Sequence, residues 1–175
     1  IPDIFGDCHF SFGEHMSSLL KDALDMNGVV YTPKSAYKTY QDGVLNDEII
    51  TILDNWEKVG KIIERVTGQE KYLTNLPYFV VCENCGKLYT TYAHDYNPQS
   101  HTVQYECRGM EVKGRMQEGC GHKGEIDVLG GNGKLPWKVE FGARWHALDI
   151  RFEAYGKDIA DSVHVNDAIC REIFE

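Results

Sequence analysis

The 175-residue sequence lacks any long apolar stretch, and this absence excludes one class of protein. Its longest apolar runs are a few residues, such as 78–82, whereas a membrane-spanning helix needs about 18. The first residues include neither an initiator Met nor the basic and apolar segments of a secretory signal. We therefore expect a cytoplasmic location without a membrane partner, and the missing Met is typical of a piece of a longer protein.

Basic residues are also scarce, 18 against 27 acidic ones, and the net charge is −9. Such a balance argues against a general binder of phosphate backbones. The charge is unevenly distributed, because residues 1–76 carry −5, residues 77–138 carry none and residues 139–175 carry −4. The composition, 42% hydrophobic and 26% charged, is that of a folded globular protein. The neutral middle is therefore predicted to differ from its acidic flanks.

Six cysteines are too few for a disulfide-rich scaffold of this length. Two of them, Cys82 and Cys85, bound the segment Cys-Glu-Asn-Cys-Gly-Lys, which is typical of a zinc knuckle. A tetrahedral site needs two more ligands, and the sequence offers three: Cys107, Cys120 and His122. Four protein ligands leave no open position, so a zinc ion here is expected to hold the fold. The alternative is a set of inert buried thiols.

Strand-forming segments surround these cysteines and are separated by turn residues. They are residues 79–81, 88–92, 102–105 and 125–128. The pattern predicts an antiparallel zinc ribbon over residues 77–129. Between its strands lies a charged loop, residues 108–117, which is either a solvated insertion or a surface that meets RNA.

The segment before the ribbon has helical patterning. Ser11 and Glu14 form a capping box that opens an amphipathic helix closed by Asn27-Gly28. Residues 29–31 then predict a short buried strand. Apolar residues recur at helical spacing from position 49 to position 66, which predicts one further helix ending before Gly68.

After the ribbon, the glycine-rich segment 130–136 is predicted to be a hinge or a ligand loop. We expect a helix over residues 139–148, a strand over 150–154 and a last helix that starts at 156–158 and extends to Phe174. Strands and helices on both sides of a β insertion indicate an α/β sheet domain with an interrupted chain. The predicted parts are residues 1–76 (α/β domain with connecting helices), 77–129 (zinc ribbon) and 130–175 (return to the α/β domain).

A second group of metal-ligating residues, Asp3, Cys8, His9 and His15, falls within thirteen residues near the start. All four are good zinc ligands, and a metal would tie the entry loop to the first helix. The alternatives are a helix-start histidine beside a buried cysteine, or a nucleophilic Cys8 with His15 as its base. A metallohydrolase using Asp3, His9 and His15 is a further hypothesis, although the sequence offers no separate general base.

Short motifs along essentially the whole chain carry a family resemblance. They are Asp3, Cys8-His9 and Glu14-His15, then Cys82-Glu-Asn-Cys85-Gly-Lys-Leu-Tyr-Thr-Thr, then Gly-His122-Lys-Gly-Glu, then Lys-Leu-Pro-Trp137-Lys-Val-Glu-Phe-Gly-Ala-Arg-Trp145, and Glu153-Ala-Tyr-Gly-Lys-Asp158. In this order they resemble class I lysyl-tRNA synthetase. The resemblance implies a partial Rossmann-like catalytic domain, of α/β class, interrupted by an antiparallel β zinc ribbon.

The resemblance also implies an activity and its partners. The parent enzyme would activate lysine with ATP and transfer it to tRNA-Lys, and the zinc insertion would lie near the tRNA acceptor end. Two zinc ions are implied, the first held by Asp3, Cys8, His9 and His15. The family usually has one residue fewer between the aspartate and the cysteine, so either Asp3 or Asp7 is the carboxylate ligand.

Two residues match positions that the family uses for lysine. Trp137 would place an indole face beside the alkyl-ammonium side chain, which gives apolar cover and cation–π attraction; otherwise it anchors the following helix. Asp158 lies in Gly-Lys-Asp, and Ile159 follows where the family commonly has a histidine. That departure puts a polar substrate contact there in question, and the alternative role of Asp158 is to cap the last helix.

The sequence contains neither of the two ATP signatures of class I synthetases, the His-Ile-Gly-His type and the Lys-Met-Ser-Lys-Ser type. The chain is therefore expected to be an internal piece of the catalytic domain that is inactive by itself. The alternative hypothesis is a non-catalytic zinc-ribbon module that binds RNA or protein.

Overall fold

The structure, a computed structural model, describes residues 2–6, 8–112 and 114–175 and divides into two compact units, residues 1–34 and 35–175. The helices are α1 (Phe12–Met26), α2 (Ala36–Gln41), α3 (Asn46–Asp54), α4 (Trp56–Thr67), α5 (Trp137–Ala147) and α6 (Ala160–Ile169), with 3-10 turns at Glu70–Leu73 and Lys157–Ile159 and a π turn at Cys170–Phe174. The strands are β1 (Phe79–Val80), β2 (Thr91–Asn97), β3 (Thr102–Cys107), β4 (Met110–Val112), β5 (Arg115–Gln117), β6 (Lys123–Asp127) and β7 (Gly133–Lys134). Among the described residues, no helix is long and apolar enough to span a bilayer.

The first unit is built around α1, and its predicted caps are confirmed. The Glu14 backbone N–H donates to the Ser11 hydroxyl (3.2 Å), and the Glu14 carboxylate accepts from the Phe10 N–H (3.1 Å). The chain leaves the helix through Gly28 at a φ of 64°, which suits glycine. The strand predicted at residues 29–31 is wrong, because these residues pair with no strand and Val30 is 99% exposed.

The second unit has a helical core in which most of the predicted apolar stripe is buried, whereas Trp56 is partly buried and Val66 is 37% exposed. The buried members are Ile49, Ile52, Leu53, Val59, Ile62 and Ile63. The sequence predicted one helix here, whereas the structure has two, α3 and α4, that meet at Asn55. The side-chain amide of Asn55 donates to the Thr51 carbonyl oxygen (2.9 Å), which also accepts the Asn55 backbone N–H (3.2 Å).

Part of the predicted antiparallel ribbon is present as a three-stranded sheet in the order β2-β3-β6. The strand predicted at residues 88–92 is wrong over 88–90, which form a turn before β2 begins at Thr91. In its register Tyr105 lies opposite Ala93 on one side and Gly124 on the other. Tyr105 and Cys107 face inward and are buried, as the alternation of a one-sided sheet requires. Strand β1 lies outside this sheet and pairs with β7, so that Val80 is opposite Gly133.

Residues 108–117, predicted as a charged loop, instead contain the hairpin β4–β5, in which Val112 pairs with Arg115. Gly114 has a φ of 74°, the conformation that a tight hairpin loop requires and glycine adopts without strain. Sequence analysis missed this hairpin because its strands are only three residues long.

Helices α5 and α6 follow the ribbon close to the predicted ranges, and the structure shows that they pack against each other. The strand predicted at 150–154 is wrong, because these residues pair with no other strand. Glu153 is instead held by side chains of α5, accepting a hydrogen bond from the Trp145 indole N–H and lying 3.6 Å from the Arg144 guanidinium. The extended segment therefore lies along a helix and not within a sheet.

Candidate metal and substrate sites

Four cysteines meet at the end of the three-stranded sheet. Their sulfur atoms lie within 4.8 Å of one another, with 3.6 Å between Cys82 and Cys120 and 3.8 Å between Cys85 and Cys107. These separations exceed the S–S bond length of about 2.05 Å, so the four are thiols and not disulfides. They have the number and arrangement of a tetrahedral sulfur site, and the group is compatible with zinc.

Local backbone structure explains why the four sulfur atoms converge. Cys82 and Cys85 bound a tight turn closed by the Gly86 N–H, which donates to the Cys82 carbonyl (2.8 Å). Gly86 adopts a φ of 68°, which makes this turn possible. Cys107 ends strand β3, and Cys120 lies in the connection from β5 to β6.

Electrostatics at the cluster favours a bound cation. The Asn84 side chain, the His122 backbone N–H and neighbouring thiols lower the pKa of Cys120 to about 6. For Cys85 the Lys87 backbone N–H lowers the pKa, but desolvation and three neighbouring thiols outweigh it and raise the pKa to about 11. Cys120 is therefore mostly ionised at neutral pH, and a positive ion would offset the cost of ionising Cys85 beside it.

His122 was the fifth candidate for this site, and it lies outside the four-sulfur group. Its ring is 5.9 Å from that of Tyr105, and its backbone oxygen accepts the Cys107 N–H (2.8 Å). The geometry therefore brings together the all-cysteine set, and His122 supports the backbone beside it.

The second candidate cluster lies in the first unit and brings together Asp3, Cys8, His9 and His15, whose ligand atoms are within 4.8 Å of one another. Asp3 Oδ2 is 3.4 Å from the Cys8 sulfur and 3.2 Å from His15 Nδ1. The Cys8 sulfur is 3.1 Å from His9 Nδ1 and 3.3 Å from His15 Nδ1. The four predicted residues thus form one mixed N, O and S group of the kind that zinc accepts.

The carboxylate of this second cluster is strongly held. The Phe5 backbone N–H donates to Asp3 (2.9 Å), and this bond, with further donors at Cys8, His9 and His15, lowers the pKa of Asp3 to about 2 despite opposing desolvation. Asp3 therefore remains anionic at any physiological pH. The alternative ligand, Asp7, lies outside the described residues.

Trp137 is the first residue of α5, and its side chain is 57% exposed although its backbone is fixed. The fully buried Asn166 donates to the Trp137 carbonyl (2.8 Å) from helix α6. Just before it, the Leu135 N–H donates to the Tyr40 hydroxyl (3.0 Å). An indole held by its backbone and open on its face is suited to covering a ligand.

Asp158 lies in the 3-10 turn that leads into α6, with an exposed side chain, and the following Ile159 is partly buried. Trp137 and Asp158 thus lie at the starts of two helices that pack against each other.

Sequence reasoning missed the polar residues that support these groups. Asn166 makes hydrogen bonds to backbone groups of both α5 and α6. Lys134 and Glu140 form an ion pair of 3.0 Å. Thr90 contacts the cysteine cluster. Asn166 lies among the inward-facing positions of α6, most of which are apolar. A polar residue at such a position is the sequence signal for a buried hydrogen-bonded contact.

Comparison with known proteins shows the family of the chain. A family model described as tRNA synthetases class I (K) matches residues 1–175. A lysine–tRNA ligase of Cenarchaeum symbiosum is 53% identical over 99% of this chain, and one of Archaeoglobus fulgidus is 33% identical over 100%. A lysine–tRNA ligase of Rickettsia felis is 30% identical over 98% of the chain. The chain spans about a third of the length of these relatives. It belongs to the class I (K) family of tRNA synthetases.

Proposed function

We propose that the chain is part of the catalytic region of a class I lysine–tRNA ligase, which activates lysine with ATP and transfers it to tRNA-Lys in the cytoplasm. The observation that carries this proposal is the 53% identity over nearly the whole chain to a protein of that name. Within the parent, the second unit supplies the lysine side of the site, and the missing ATP signatures lie elsewhere. The region is a partial Rossmann-like domain interrupted by the ribbon.

Trp137 is the residue that we assign to the lysine pocket, with Asp158 beside the same pair of helices. Its exposed indole gives apolar cover to the four-carbon stem of lysine and attracts the ammonium by about 0.5 to 2 kcal/mol. Because Asn166 and Tyr40 fix the backbone on both sides of Pro136, the Cα atom from which the indole projects is held in place before the substrate arrives. Such preorganisation lowers the entropy lost on binding.

The lysine assignment is tested in a complete synthetase that contains this chain. Replacing Trp137→Ala should raise the KM for lysine by about 2- to 30-fold, which corresponds to the cation–π range above. Trp137→Phe, which keeps an aromatic face, should lose less. An unchanged KM in Trp137→Ala would remove this residue from the pocket. The isolated chain, which lacks both ATP signatures, should show no lysine-dependent exchange of pyrophosphate into ATP.

We assign a structural zinc ion to Cys82, Cys85, Cys107 and Cys120, and a second one to Asp3, Cys8, His9 and His15. Each ion supplies a cross-link that holds its ligands' segments together, and the first closes the zinc ribbon. Residues 77–138, the ribbon together with the segment that follows it, carry no net charge in an otherwise acidic chain, so we place contact with the tRNA acceptor end there.

Elemental analysis of the purified chain tests both metal assignments. The wild-type chain should hold two zinc ions, Cys82→Ser should hold one, and His15→Ala should hold one. Cys170→Ser, which changes a cysteine outside both clusters, is the matched control and should keep two. A wild-type chain without zinc would refute both sites, and salt-independent or absent binding of acceptor-stem RNA in filter assays would refute the ribbon contact.

A further inference from the structure

Thr90 lies directly behind the four-cysteine cluster and is almost fully buried, at 1% exposure. Its hydroxyl oxygen is 3.2 Å from the Cys107 sulfur. The same sulfur accepts the backbone N–H of Cys120 at 3.4 Å. Cys107 therefore receives polar contacts from a side chain and from the backbone of another cluster member.

The chemistry of the two groups decides the direction of the Thr90 contact. A thiolate has no proton, so beside an ionised Cys107 the hydroxyl must be the donor. Among the described residues, this sulfur is the hydrogen-bond partner that the structure gives to the Thr90 hydroxyl. A buried hydroxyl without a partner is costly, so the contact favours the orientation of the Cys107 side chain in which its sulfur faces the other three cysteines.

We propose that Thr90 is a positioning residue for the metal at the four-cysteine cluster, which holds the Cys107 thiolate by an O–H···S hydrogen bond and raises the affinity for zinc. The proposal rests on the zinc site assigned above. Hydrogen-bonded partners behind metal ligands fix their orientation, and their loss typically lowers metal affinity by about 10- to 100-fold.

The neighbouring Thr91 provides a matched comparison within the chain. It is also buried, but its hydroxyl lies 2.7 Å from the Val80 carbonyl oxygen and 2.8 Å from the Leu88 carbonyl oxygen, and its single proton is donated to these backbone acceptors and not to a sulfur. Replacing Thr91→Val removes a buried hydroxyl of the same kind from the adjacent position and leaves the Cys107 contact in place. A general cost of losing a buried hydroxyl appears in both variants, whereas a change at the sulfur appears only in Thr90→Val.

The test uses the full chain in a Cys8→Ala background, which removes the thiolate of the N-terminal cluster. Zinc affinity is measured by competition with a chromophoric chelator, and cobalt(II) loading reports the sulfur-to-cobalt charge-transfer band. Thr90→Val should bind zinc about tenfold more weakly. Its band should move to lower energy, because a sulfur that loses a hydrogen bond gives up electron density more easily. Thr90→Ser should restore both values, and Thr91→Val should leave the band unchanged.

Two results would overturn the assignment of Thr90. Equal zinc affinity and an identical band in Thr90→Val and the background protein would show that the hydroxyl does not act on the metal site. An equal loss in Thr90→Ser, which keeps the hydroxyl, and in Thr90→Val, which lacks it, would show that the hydroxyl is not what sets the zinc affinity. If the Cys8→Ala protein binds no zinc, the four-cysteine zinc site itself is refuted, and the role of Thr90 with it.

Discussion

Asn166 joins the two helices that follow the ribbon, and removing its amide should destabilise the chain by a predictable amount. The residue is fully buried and makes three hydrogen bonds. Its amide donates to the carbonyls of Trp137 (2.8 Å) and Ser162 (2.7 Å), and its oxygen accepts the Gly142 N–H (2.6 Å). At about 0.5 to 1.5 kcal/mol for each bond, Asn166→Ala should cost about 1.5 to 4.5 kcal/mol.

Urea unfolding followed by circular dichroism at 222 nm measures this loss, with zinc present in every sample. Asn166→Asp is a near-isosteric second variant, because it keeps the acceptor for Gly142 and replaces both donated bonds by repulsion between oxygen atoms. It should also be destabilised. Asn55→Ala is the control, since Asn55 is exposed and its amide makes one local bond to Thr51, so its cost should stay below about 1 kcal/mol.

A change of less than about 0.5 kcal/mol in both Asn166 variants would refute the reasoning, because the free energy assigned to the three bonds would then be absent. In a complete synthetase, the same variants should raise the KM for lysine, since the Trp137 backbone loses its link to α6. An unchanged KM in a folded Asn166 variant would separate the α5–α6 contact from substrate binding.

Three further predictions concern the metal and the core. The zinc affinity of the four-cysteine cluster should rise from pH 6 to pH 8, because protons compete with the metal for each sulfur and the pKa of Cys85 is raised to about 11. Chelator competition at each pH measures this affinity. A zinc affinity that does not change with pH would contradict the prediction. Gly60→Ala should lower the free energy of unfolding by about 1 to 3 kcal/mol despite the better helix propensity of alanine, because the added Cβ meets the Tyr72 carbonyl. Ile63→Ala should cost about 2 to 5 kcal/mol in the same urea assay, since Ile63 is fully buried in the helical core; a loss under about 1 kcal/mol would argue against that packing.

Local patterns in the sequence predicted the elements whose causes are themselves local. The caps at Ser11 and Gly28 act within one turn of the helix, and the apolar stripe of α3 and α4 needs only helical spacing to be recognised. The cysteine cluster was predicted for the same reason, because two ligands are close in the chain. Whether Cys120 or His122 lies beside Cys82 and Cys85 depends on the path of the chain after the hairpin β4–β5. The sequence did not predict this path, because strands of three residues have no recognisable sequence pattern.

The predictions that were wrong concern segments whose structure depends on distant residues. Residues 29–31 and 150–154 have the composition of strands, yet a strand needs a partner to satisfy its backbone groups. None is available to them among the described residues, and Phe152 is 85% exposed. The apolar pattern continues across Asn55, where α3 ends and α4 begins. Helical spacing alone therefore gives no sign of this break or of the side-chain hydrogen bond that Asn55 makes there.

The pairing of β1 with β7 brings together the two points at which the chain enters and leaves the ribbon. Because Val80 lies opposite Gly133, residues 81–132 form a loop that leaves the helical core and returns to it at neighbouring points. Loop-closure entropy grows slowly with loop length, so the ribbon can lengthen, shorten or be exchanged at small cost to the helices. The ribbon is in this sense an insertion that can be replaced. A tight turn joining β1 directly to β7 should leave helices α3, α4, α5 and α6 folded.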